Sequence, residues 1–373
     1  MILNFTGTCQ LPDPDSSIPG KDLLDGVVGW DRNDLHWSKL EPEPGQWRQE
    51  ELEKWGQRVL ELRSHGIEFL PILCYSAPWA IDQTPRTLAI SKDKRVTLSR
   101  DANGGFLETT QFRQHDGTWE TIKTRVPKLR NRWPFASEYV AAWENYVRRV
   151  VTFLSSPPYN VKYFQIWNEA HPESGFYDYT SLDDYMIRVH LPAAKIIHEQ
   201  GAKVVYGGWP CCGSIRGYIS LLDRHDAWKT VDVHDMHYFP LSAFEAIQSA
   251  ARKRGLGSVA IWQTEFGWSK NPSSVGNAWP RFLDWALRNQ WDSPDKYKIF
   301  WFAARTPDDP KSYGYQRTLI QGNELSPHGL SLKTIVALLS PGDLSLYEPV
   351  VSSPALGDGY SEHSSALYAF RVG

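Results

Sequence analysis

Short apolar stretches alternate with amphipathic stretches along most of the chain. Eight of the apolar stretches are rich in β-branched and aromatic residues, which is typical of buried strands. The predicted strands are residues 2–6, 27–33, 69–74, 163–168, 203–207, 233–238, 259–264 and 298–303. Because helix-like segments separate most of them, the pattern favours an α/β fold with a parallel sheet. Eight such units predict a closed (β/α)8 TIM barrel.

The helix-like segments carry apolar residues at three- and four-residue spacing, as expected for helices that pack one face on a sheet. A stripe over 139–154 is the clearest case, and a second over 52–62 ends at Gly66. Residues 11–26, between the first two predicted strands, are rich in Pro and Asp. We therefore expect the first barrel helix to be reduced or missing, with a short helical piece around 22–24.

Residues 81–133 interrupt the alternation. Turn signals at 103–105 and 116–117 and strand-like runs at 106–112 and 118–125 predict a β-hairpin inserted after the third strand. This insertion is either a solvated surface excursion or a wall of the cleft, and the sequence leaves both readings open. We predict one barrel domain over 1–340 and a small C-terminal β extension over 341–373 that packs on it, with strand-like runs at 344–351 and 366–372.

Composition narrows the classes of function. The chain has 373 residues and a net charge of −3, which gives no basic field for nucleic acid. It has no apolar run of the roughly 20 residues that a membrane span needs. The N-terminus lacks the features of a signal peptide, so we expect a cytoplasmic protein, or a secreted one whose leader has been removed.

The four cysteines, Cys9, Cys74, Cys211 and Cys212, lack metal-binding spacing and are expected to be buried thiols rather than disulfides.

Two glutamates carry the candidate chemistry. Glu169 ends the apolar run that forms the fourth predicted strand, and Glu265 ends the seventh. In a parallel barrel the C-terminal strand ends are where catalysis takes place. A pair of carboxylates there can share the acid and nucleophile roles on a glycosidic bond. The alternative is a pair of surface salt bridges, which is disfavoured because a charge at the end of a buried strand needs a reason to be tolerated.

These motifs resemble glycoside hydrolase clan A, the retaining (β/α)8 glycosidases, with family 39 nearest and family 5 second. The resemblance covers the chain through about residue 339. It implies that Glu169 is the acid/base and Glu265 the nucleophile. It also implies that Asn168 binds a sugar hydroxyl and that Arg32, in the second-strand signature 31–47, supports the nucleophile.

The 17 tryptophans are several times a typical count. We expect most of them in the core and a share in the cleft, because the C–H face of a pyranose packs well on an aromatic ring. The resemblance implies cleft positions for Trp79, after the third strand, and for Trp301, which would form the floor of the sugar site. Trp268, just after Glu265, is a further substrate-binding candidate.

One departure from the clan lies at the end of the sixth strand. Clan members often carry His-x-Tyr there, with the Tyr touching the nucleophile. This chain has His237, Tyr238 and Phe239 in that order. His237 and Tyr238 are both candidate substrate-binding residues, and whether Tyr238 or Phe239 faces the nucleophile stays open at this stage.

The sequence thus predicts a retaining O-glycoside hydrolase that cleaves β-type bonds by double displacement and needs no cofactor or metal. Its substrate would be an oligosaccharide, a polysaccharide or a simple glycoside. Two alternatives are a catalytically silent carbohydrate-binding barrel and a metal-dependent TIM-barrel hydrolase. The first is disfavoured because both glutamates are present, and the second because no metal-ligand motif occurs.

Overall fold

A computed structural model describes residues 2–11, 22–126, 132–177, 180–267, 269–306 and 314–340, and two further strands at 344–346 and 370–372. The strands are β1 Thr6–Cys9, β2 Trp30–His36, β3 Glu68–Cys74, β4 Arg86–Ser91, β5 Lys94–Arg100, β6 Phe106–Arg113, β7 Trp119–Arg125, β8 Tyr163–Ile166, β9 Lys203–Val205, β10 Val233–His237, β11 Ala260–Phe266, β12 Tyr297–Trp301, β13 Ile320–Gln321, β14 Glu324–Leu325, β15 Leu344–Leu346 and β16 Phe370–Val372. The α-helices are α1 Ile2–Phe5, α2 Trp37–Leu40, α3 Gln49–Ser64, α4 Val140–Ser155, α5 Leu182–Tyr185, α6 Leu191–Glu199, α7 Ile215–Arg224, α8 Leu241–Lys253, α9 Ser273–Arg288 and α10 Pro327–Leu339. Short 3₁₀ turns occur at Asp22–Leu24, Pro78–Ala80, Ser137–Tyr139, Trp228–Thr230 and Tyr315–Arg317, and a π-helical turn at Met186–His190.

Eight parallel strands close into a barrel in the order β1, β12, β11, β10, β9, β8, β3, β2, so the predicted (β/α)8 fold is confirmed. The predicted helix stripes are buried as expected: Trp143, Tyr146 and Val150 of α4 are fully enclosed. The first barrel helix is reduced to the 3₁₀ turn at Asp22–Leu24 within the described part of this connection.

The boundaries predicted for the first two strands were wrong. Residues 2–5 form the short helix α1, and β1 begins only at Thr6. Ile2 and Phe5 are three residues apart and both buried, which is the spacing of a helical turn on one apolar face. The second strand is displaced to Trp30–His36, because its C-terminal half is rich in polar residues, which the search for apolar runs passed over.

The insertion is larger than predicted. The hairpin of β6 and β7 is present, but β4 and β5 complete a four-stranded antiparallel sheet in the order β4, β5, β6, β7. Ile81, Leu98, Phe106 and Trp133 form the apolar cluster at the base of this sheet. At the C-terminus β15 pairs antiparallel with β16, and the rest of the predicted extension lies outside the described residues. The domain division at 340 stays a prediction.

An aromatic cluster fills the N-terminal half of the barrel. The rings of Trp30, Tyr163 and Trp262 lie with centroids 4.9–5.9 Å apart. The ammonium group of Lys298 lies 4.5 Å from the Trp30 ring centroid and 3.0 Å from a carboxylate oxygen of Asp295. Burial outweighs that carboxylate and lowers the pKa of Lys298 to about 8. These rings belong to an apolar cluster inside the barrel, whereas the polar side chains of the candidate site lie at the C-terminal strand ends.

All four cysteines are free thiols. Cys9 and Cys74 are buried as expected, whereas Cys211 and Cys212 are exposed, so the prediction of burial was wrong for this pair. They lie in the loop between β9 and α7, where no strand or helix packs over them. Among the described helices none is long and apolar enough to cross a membrane.

Candidate active site

Glu169 and Glu265 lie together at the C-terminal end of the barrel. One carboxylate oxygen of each lies within 4.8 Å of the other. Glu265 belongs to β11, whereas Glu169 follows β8 in a backbone with φ of 44°. A non-glycine residue in this left-handed region is strained and persists only when its surroundings hold it. Here the amide of Glu169 donates to the carbonyl of Gly207 at 2.6 Å, which fixes the turn.

Arg32 joins the ends of three strands. Its guanidinium donates to Glu265 at 2.8 Å, to the side-chain oxygen of Asn168 at 2.6 Å and to that of Gln165 at 2.7 Å. Although burial by itself lowers the pKa of Arg32, Glu265 and further acidic groups raise it, so the guanidinium stays charged. Three bonds from one rigid planar group fix the orientation of all three acceptors.

His237 contacts both glutamates. Its Nδ1 lies 2.9 Å from Glu169 Oε1 and 3.6 Å from Glu265 Oε1. On the other side of the ring, Nε2 lies 3.0 Å from the hydroxyl of Thr264, which donates to Asp235 at 2.6 Å. Both ring nitrogens therefore face acceptors.

The electrostatics of this cluster follow from its burial. Burial lowers the pKa of His237, but Glu265 and Asp235 outweigh that effect and raise its pKa to about 10, so the ring is an imidazolium at neutral pH. Burial raises the pKa of Glu265, and the two cations beside it, His237 and Arg32, oppose the rise. Two carboxylates share this site with two cations, which limits the cost of burying the charges.

Gly208 provides the surface against which the imidazole packs. Its backbone has φ of +62°, and a Cβ atom built there would lie 2.3 Å from two atoms of the His237 ring. At Gly207 a Cβ atom would lie 2.3 Å from the carbonyl oxygen of Ile166. The adjacent glycines thus form a close-packed strand end and allow β8, β9 and β10 to approach one another at the site.

Tyr238, and not Phe239, faces the candidate nucleophile. The register of β10 against β11 shifts between Asp235 and His237, and Tyr238 has φ of +59°. This turn brings the Tyr238 hydroxyl to 3.4 Å from Glu265 Oε2. Phe239 is buried in the main apolar core.

The structure describes two of the three candidate tryptophans, and the substrate-binding roles of all three stay predictions. Trp301 is fully buried, and its indole donates to the carbonyl of Arg317 at 2.7 Å, so it lies beneath the cleft surface rather than on it. Trp79 packs edge-on against Trp37 and Tyr139, outside the glutamate cluster. Trp268 lies outside the described residues. Most of the described tryptophans are buried, as expected. Eight are less than 2% exposed, namely Trp37, Trp133, Trp143, Trp167, Trp209, Trp262, Trp279 and Trp301, and Trp30, Trp55, Trp228 and Trp285 are 3–7% exposed.

Sequence reasoning missed Gln165, Asp235, Thr264 and Gly208. Gln165 and Asp235 lie on barrel strands, Thr264 directly precedes Glu265 on β11, and Gly208 follows β9. Gln165 and Asp235 are polar residues inside otherwise apolar strands, and both are fully buried. A buried polar residue near the C-terminal end of a barrel strand is the signal that could have identified them.

Two groups of described residues have the geometry of metal ligands, with ligand atoms within 4.8 Å: Asp34, His36 and Cys74, and Glu169, His237 and Glu265. A metal requires a neutral imidazole and a thiolate. In the second group His237 is protonated at neutral pH, and Arg32 already binds Glu265. In the first group burial raises the pKa of the Cys74 thiol, so binding would have to displace its proton. A metal ion would therefore have to displace a proton in either group, and in the second group it would also compete with Arg32.

Comparison with solved structures places this geometry in a known fold. A family 39 glycoside hydrolase from Bacteroides cellulosilyticus superposes with a TM-score of 0.61 at 16% identity, over 92% of this chain and 65% of that one. A monomeric β-xylosidase from Caulobacter crescentus has a TM-score of 0.55 at 12% identity, over 85% of this chain and 63% of that one. An endo-β-1,4-glucanase from Xanthomonas axonopodis has a TM-score of 0.51 at 12% identity, over 89% and 98%. The fold is that of the clan A glycoside hydrolases.

Families 39 and 5 are the ones the sequence motifs resemble, so that resemblance is confirmed by the structural neighbours. The chain spans about two thirds of the length of the first two clan A structures. No family model matches the chain, and no curated protein matches it either.

Proposed function

We propose that this chain is a retaining glycoside hydrolase that cleaves β-type glycosidic bonds by double displacement. The observation that carries the proposal is the placement of Glu169 and Glu265, in which one carboxylate oxygen of each lies within 4.8 Å of an oxygen of the other. Retaining enzymes hold their two carboxyl groups about 5–5.5 Å apart, whereas inverting enzymes leave about 6.5–9.5 Å for a water molecule. The short separation supports retention.

In the first step a protonated Glu169 gives its proton to the leaving oxygen while Glu265 attacks the anomeric carbon and forms a covalent glycosyl-enzyme. In the second step Glu169 accepts a proton from water, whose oxygen displaces Glu265. Arg32 and Tyr238 hold one oxygen each of Glu265, which leaves that carboxylate with a fixed orientation toward the sugar.

His237 has a positioning role in this proposal. As an imidazolium it donates to Glu169, so the oxygen that it binds is an acceptor, and the proton for the leaving group belongs on the other oxygen of that carboxyl. Asp235 and Thr264 fix the opposite edge of the ring. The Glu169 carboxyl group is thereby oriented by hydrogen bonds that run from Asp235 through Thr264 to His237.

The roles of the two glutamates are tested by azide rescue. In Glu169→Ala, turnover of substrates with poor leaving groups should be lost, activated aryl glycosides should still be cleaved slowly, and azide should restore turnover with a β-glycosyl azide as product. In Glu265→Ala, turnover should be abolished on every substrate because no covalent intermediate forms. A β-glycosyl azide from Glu265→Ala together with an α-glycosyl azide from Glu169→Ala would reverse the assignment.

The sugar is best sought with aryl β-glycosides. Among the structural neighbours are a β-xylosidase, an exo-β-1,4-mannosidase and an endo-β-1,4-glucanase. We therefore propose β-linked oligosaccharides, polysaccharides or glycosides as the substrate class and aryl β-xyloside, β-mannoside and β-cellobioside as first probes. Failure of all three would direct the search to other β-glycosides.

A metal-dependent hydrolase is the second candidate, favoured only by the ligand geometry of Glu169, His237 and Glu265. The two mechanisms differ in their response to a chelator. Excess EDTA should leave the rate of aryl β-glycoside cleavage unchanged if the carboxylates act alone. Loss of activity with EDTA and its return with a divalent ion would support the second candidate instead.

A further inference from the structure

The inserted sheet has two chemically different faces. Leu98 and Phe106 lie on one face, which we call the inner face, and belong to the apolar cluster that includes Ile81 and Trp133. The strand pairing places the other set of side chains on the opposite, outer face. The outer face comprises Thr87, Arg95, Thr97, Ser99, Leu107, Thr109, Gln111, Arg113, Trp119, Thr121 and Thr124, and none of these side chains is buried.

Acidic side chains are absent from the outer face among the described residues. Between residues 86 and 125 the chain has eight Lys or Arg and five Asp or Glu. Asp93, Asp101 and Asp116 lie in the turns between strands, where Asp101 and Asp116 accept bonds from backbone amides. Glu108 and Glu120 point to the inner face because they are paired across the sheet with residues of that face. The outer face therefore carries two arginines and no carboxylate, on a chain whose net charge is −3.

Hydrogen bonds hold the polar groups of the outer face in rows. Thr87 and Thr97 share a bond between their hydroxyls at 2.9 Å, and Thr97 is directly paired with Thr109 in the next strand. The row continues to Thr124, whose hydroxyl lies 3.5 Å from that of Thr109. Four hydroxyls in line across four strands present alternating donors and acceptors at strand spacing.

A second row combines charge with an aromatic ring. Arg95 donates to Gln111 at 2.7 Å, and Gln111 donates to Thr121 at 3.1 Å. The guanidinium of Arg95 lies 4.3 Å from the centroid of the Trp119 ring, which orders both side chains. Arg113 is the cross-strand partner of Trp119 and is exposed. The contacts of Arg95, Gln111 and Trp119 already order these side chains, so a ligand that binds them costs less side-chain entropy.

We propose that the outer face binds an anionic, uronate-bearing polysaccharide chain. Rows of hydroxyl and amide groups match the hydroxyls of a glycan, Trp119 offers an aromatic surface for a sugar ring, and Arg95 and Arg113 match carboxylates along the chain. The sheet leaves the barrel after β3, at the end that carries Glu169 and Glu265, so a chain held on it lies beside the catalytic end. The coupling of this binding to turnover rests on the proposed function, whereas the binding itself does not.

The test compares two pairs of substitutions that remove equal charge from the two faces. Arg95→Gln with Arg113→Gln changes the outer face, and Lys94→Gln with Lys123→Gln changes the inner face of the same strands. Affinity for glucuronoxylan and for the same polymer after carboxyl reduction is measured by affinity electrophoresis and calorimetry at low and high salt. Circular dichroism melting checks that each variant folds, and an aryl β-glycoside that the wild type cleaves reports on the catalytic glutamates.

The proposal expects the outer-face pair to weaken binding of glucuronoxylan about threefold to tenfold, a salt-sensitive loss that two exposed ion pairs can account for. The inner-face pair should bind like the wild type. Trp119→Ala should weaken binding about tenfold, because a bound sugar would no longer cover about 60 Å² of apolar ring surface. All variants should cleave the aryl glycoside at the wild-type rate.

Three results would overturn the proposal. The wild type could bind the carboxyl-reduced polymer as tightly as glucuronoxylan, or the outer-face and inner-face pairs could lose the same affinity. The wild type could also bind double-stranded DNA as tightly as glucuronoxylan, which would indicate a surface that binds polyanions in general. Absence of any binding to glucuronoxylan would overturn it as well. A wild type that binds glucuronoxylan at the outer face but cleaves no glycoside would contradict the proposed function and leave the binding site standing.

Discussion

Replacing Gly208 by alanine tests how rigidly His237 is held at the candidate site. The added Cβ atom would lie 2.3 Å from Cε1 and Nε2 of the imidazole, so one of the two must move. The ring is fully buried and has acceptors for both nitrogens, so it has no free direction in which to retreat. We expect Gly208→Ala to push the ring away from Glu169, from Thr264, or from both.

The magnitude can be worked from two terms. An alanine with φ of +62° costs about 1 kcal/mol from backbone strain alone. Loss of one hydrogen bond to a charged group costs about 1.5–3 kcal/mol more. Gly66→Ala is the matched control, because its φ is +72° and a Cβ atom there meets nothing within 4 Å. Urea denaturation at pH 7 should therefore show a loss of about 1 kcal/mol for Gly66→Ala and about 2.5–4 kcal/mol for Gly208→Ala.

Catalysis should separate the two variants further. A misplaced His237 leaves Glu169 without its orienting donor, so kcat/KM of Gly208→Ala on a glycoside with a poor leaving group should fall about 10²-fold. Gly66→Ala should keep the wild-type value. If Gly208→Ala loses no more stability than Gly66→Ala and keeps its activity, the imidazole is mobile and the proposed positioning role is wrong.

Three further substitutions test other contacts of the site. The pKa of His237 is raised from 6.5 to about 10, so the stability that its protonated ring contributes is complete below pH 6.5 and is lost as the pH rises through about 10. Between pH 7 and 10 the wild type should therefore lose more unfolding free energy than His237→Gln. Equal losses in the two proteins would contradict the raised pKa. Arg32→Lys keeps the charge but cannot donate to Glu265, Asn168 and Gln165 at once, so kcat/KM should fall about 10²- to 10³-fold. A fall of less than about threefold would show that these three hydrogen bonds do not orient the site. Tyr238→Phe should lower kcat by about tenfold, because Glu265 loses a hydrogen-bond donor. Phe239→Tyr should destabilise the core and should not replace that donor. If steady-state kinetics show the opposite pattern, Phe239 and not Tyr238 is the residue that faces Glu265.

Apolar periodicity was sufficient to predict most of the barrel. The third to eighth strands lie within three residues of their predicted ends because most of them carry runs of buried apolar side chains in a sheet covered by helices. It failed at the N-terminus, where the same apolar residues, Ile2 and Phe5, pack as a helical turn. It also missed β4 and β5, because Lys92 and Asp93 between them give no Gly turn signal, whereas Asp116 and Gly117 mark the turn between β6 and β7.

The site was predictable where one strand end carries a motif and not where several strands meet. Glu169 and Glu265 could be found because each interrupts an apolar run with a charge. Gln165 and Asp235 also interrupt apolar runs, but their partners come from other strands. The bond between Arg32 and Gln165 spans 133 residues in sequence, and no local pattern indicates which buried polar residue accepts it.

The position of Tyr238 shows why local spacing can mislead at a catalytic strand end. A regular strand alternates its side chains, so the two residues that follow His237 would point first away from the cleft and then into it, which would place Phe239 beside Glu265. The register shift after Asp235 and the left-handed backbone of Tyr238 break this alternation. One strained residue thereby gives the carboxylate a hydroxyl donor and the core a phenyl ring, which is the more stable distribution of the two side chains. Strain of this kind is tolerated where the surrounding bonds enforce it, here through the amide of Tyr238, which donates to the carbonyl of Glu265 at 3.1 Å.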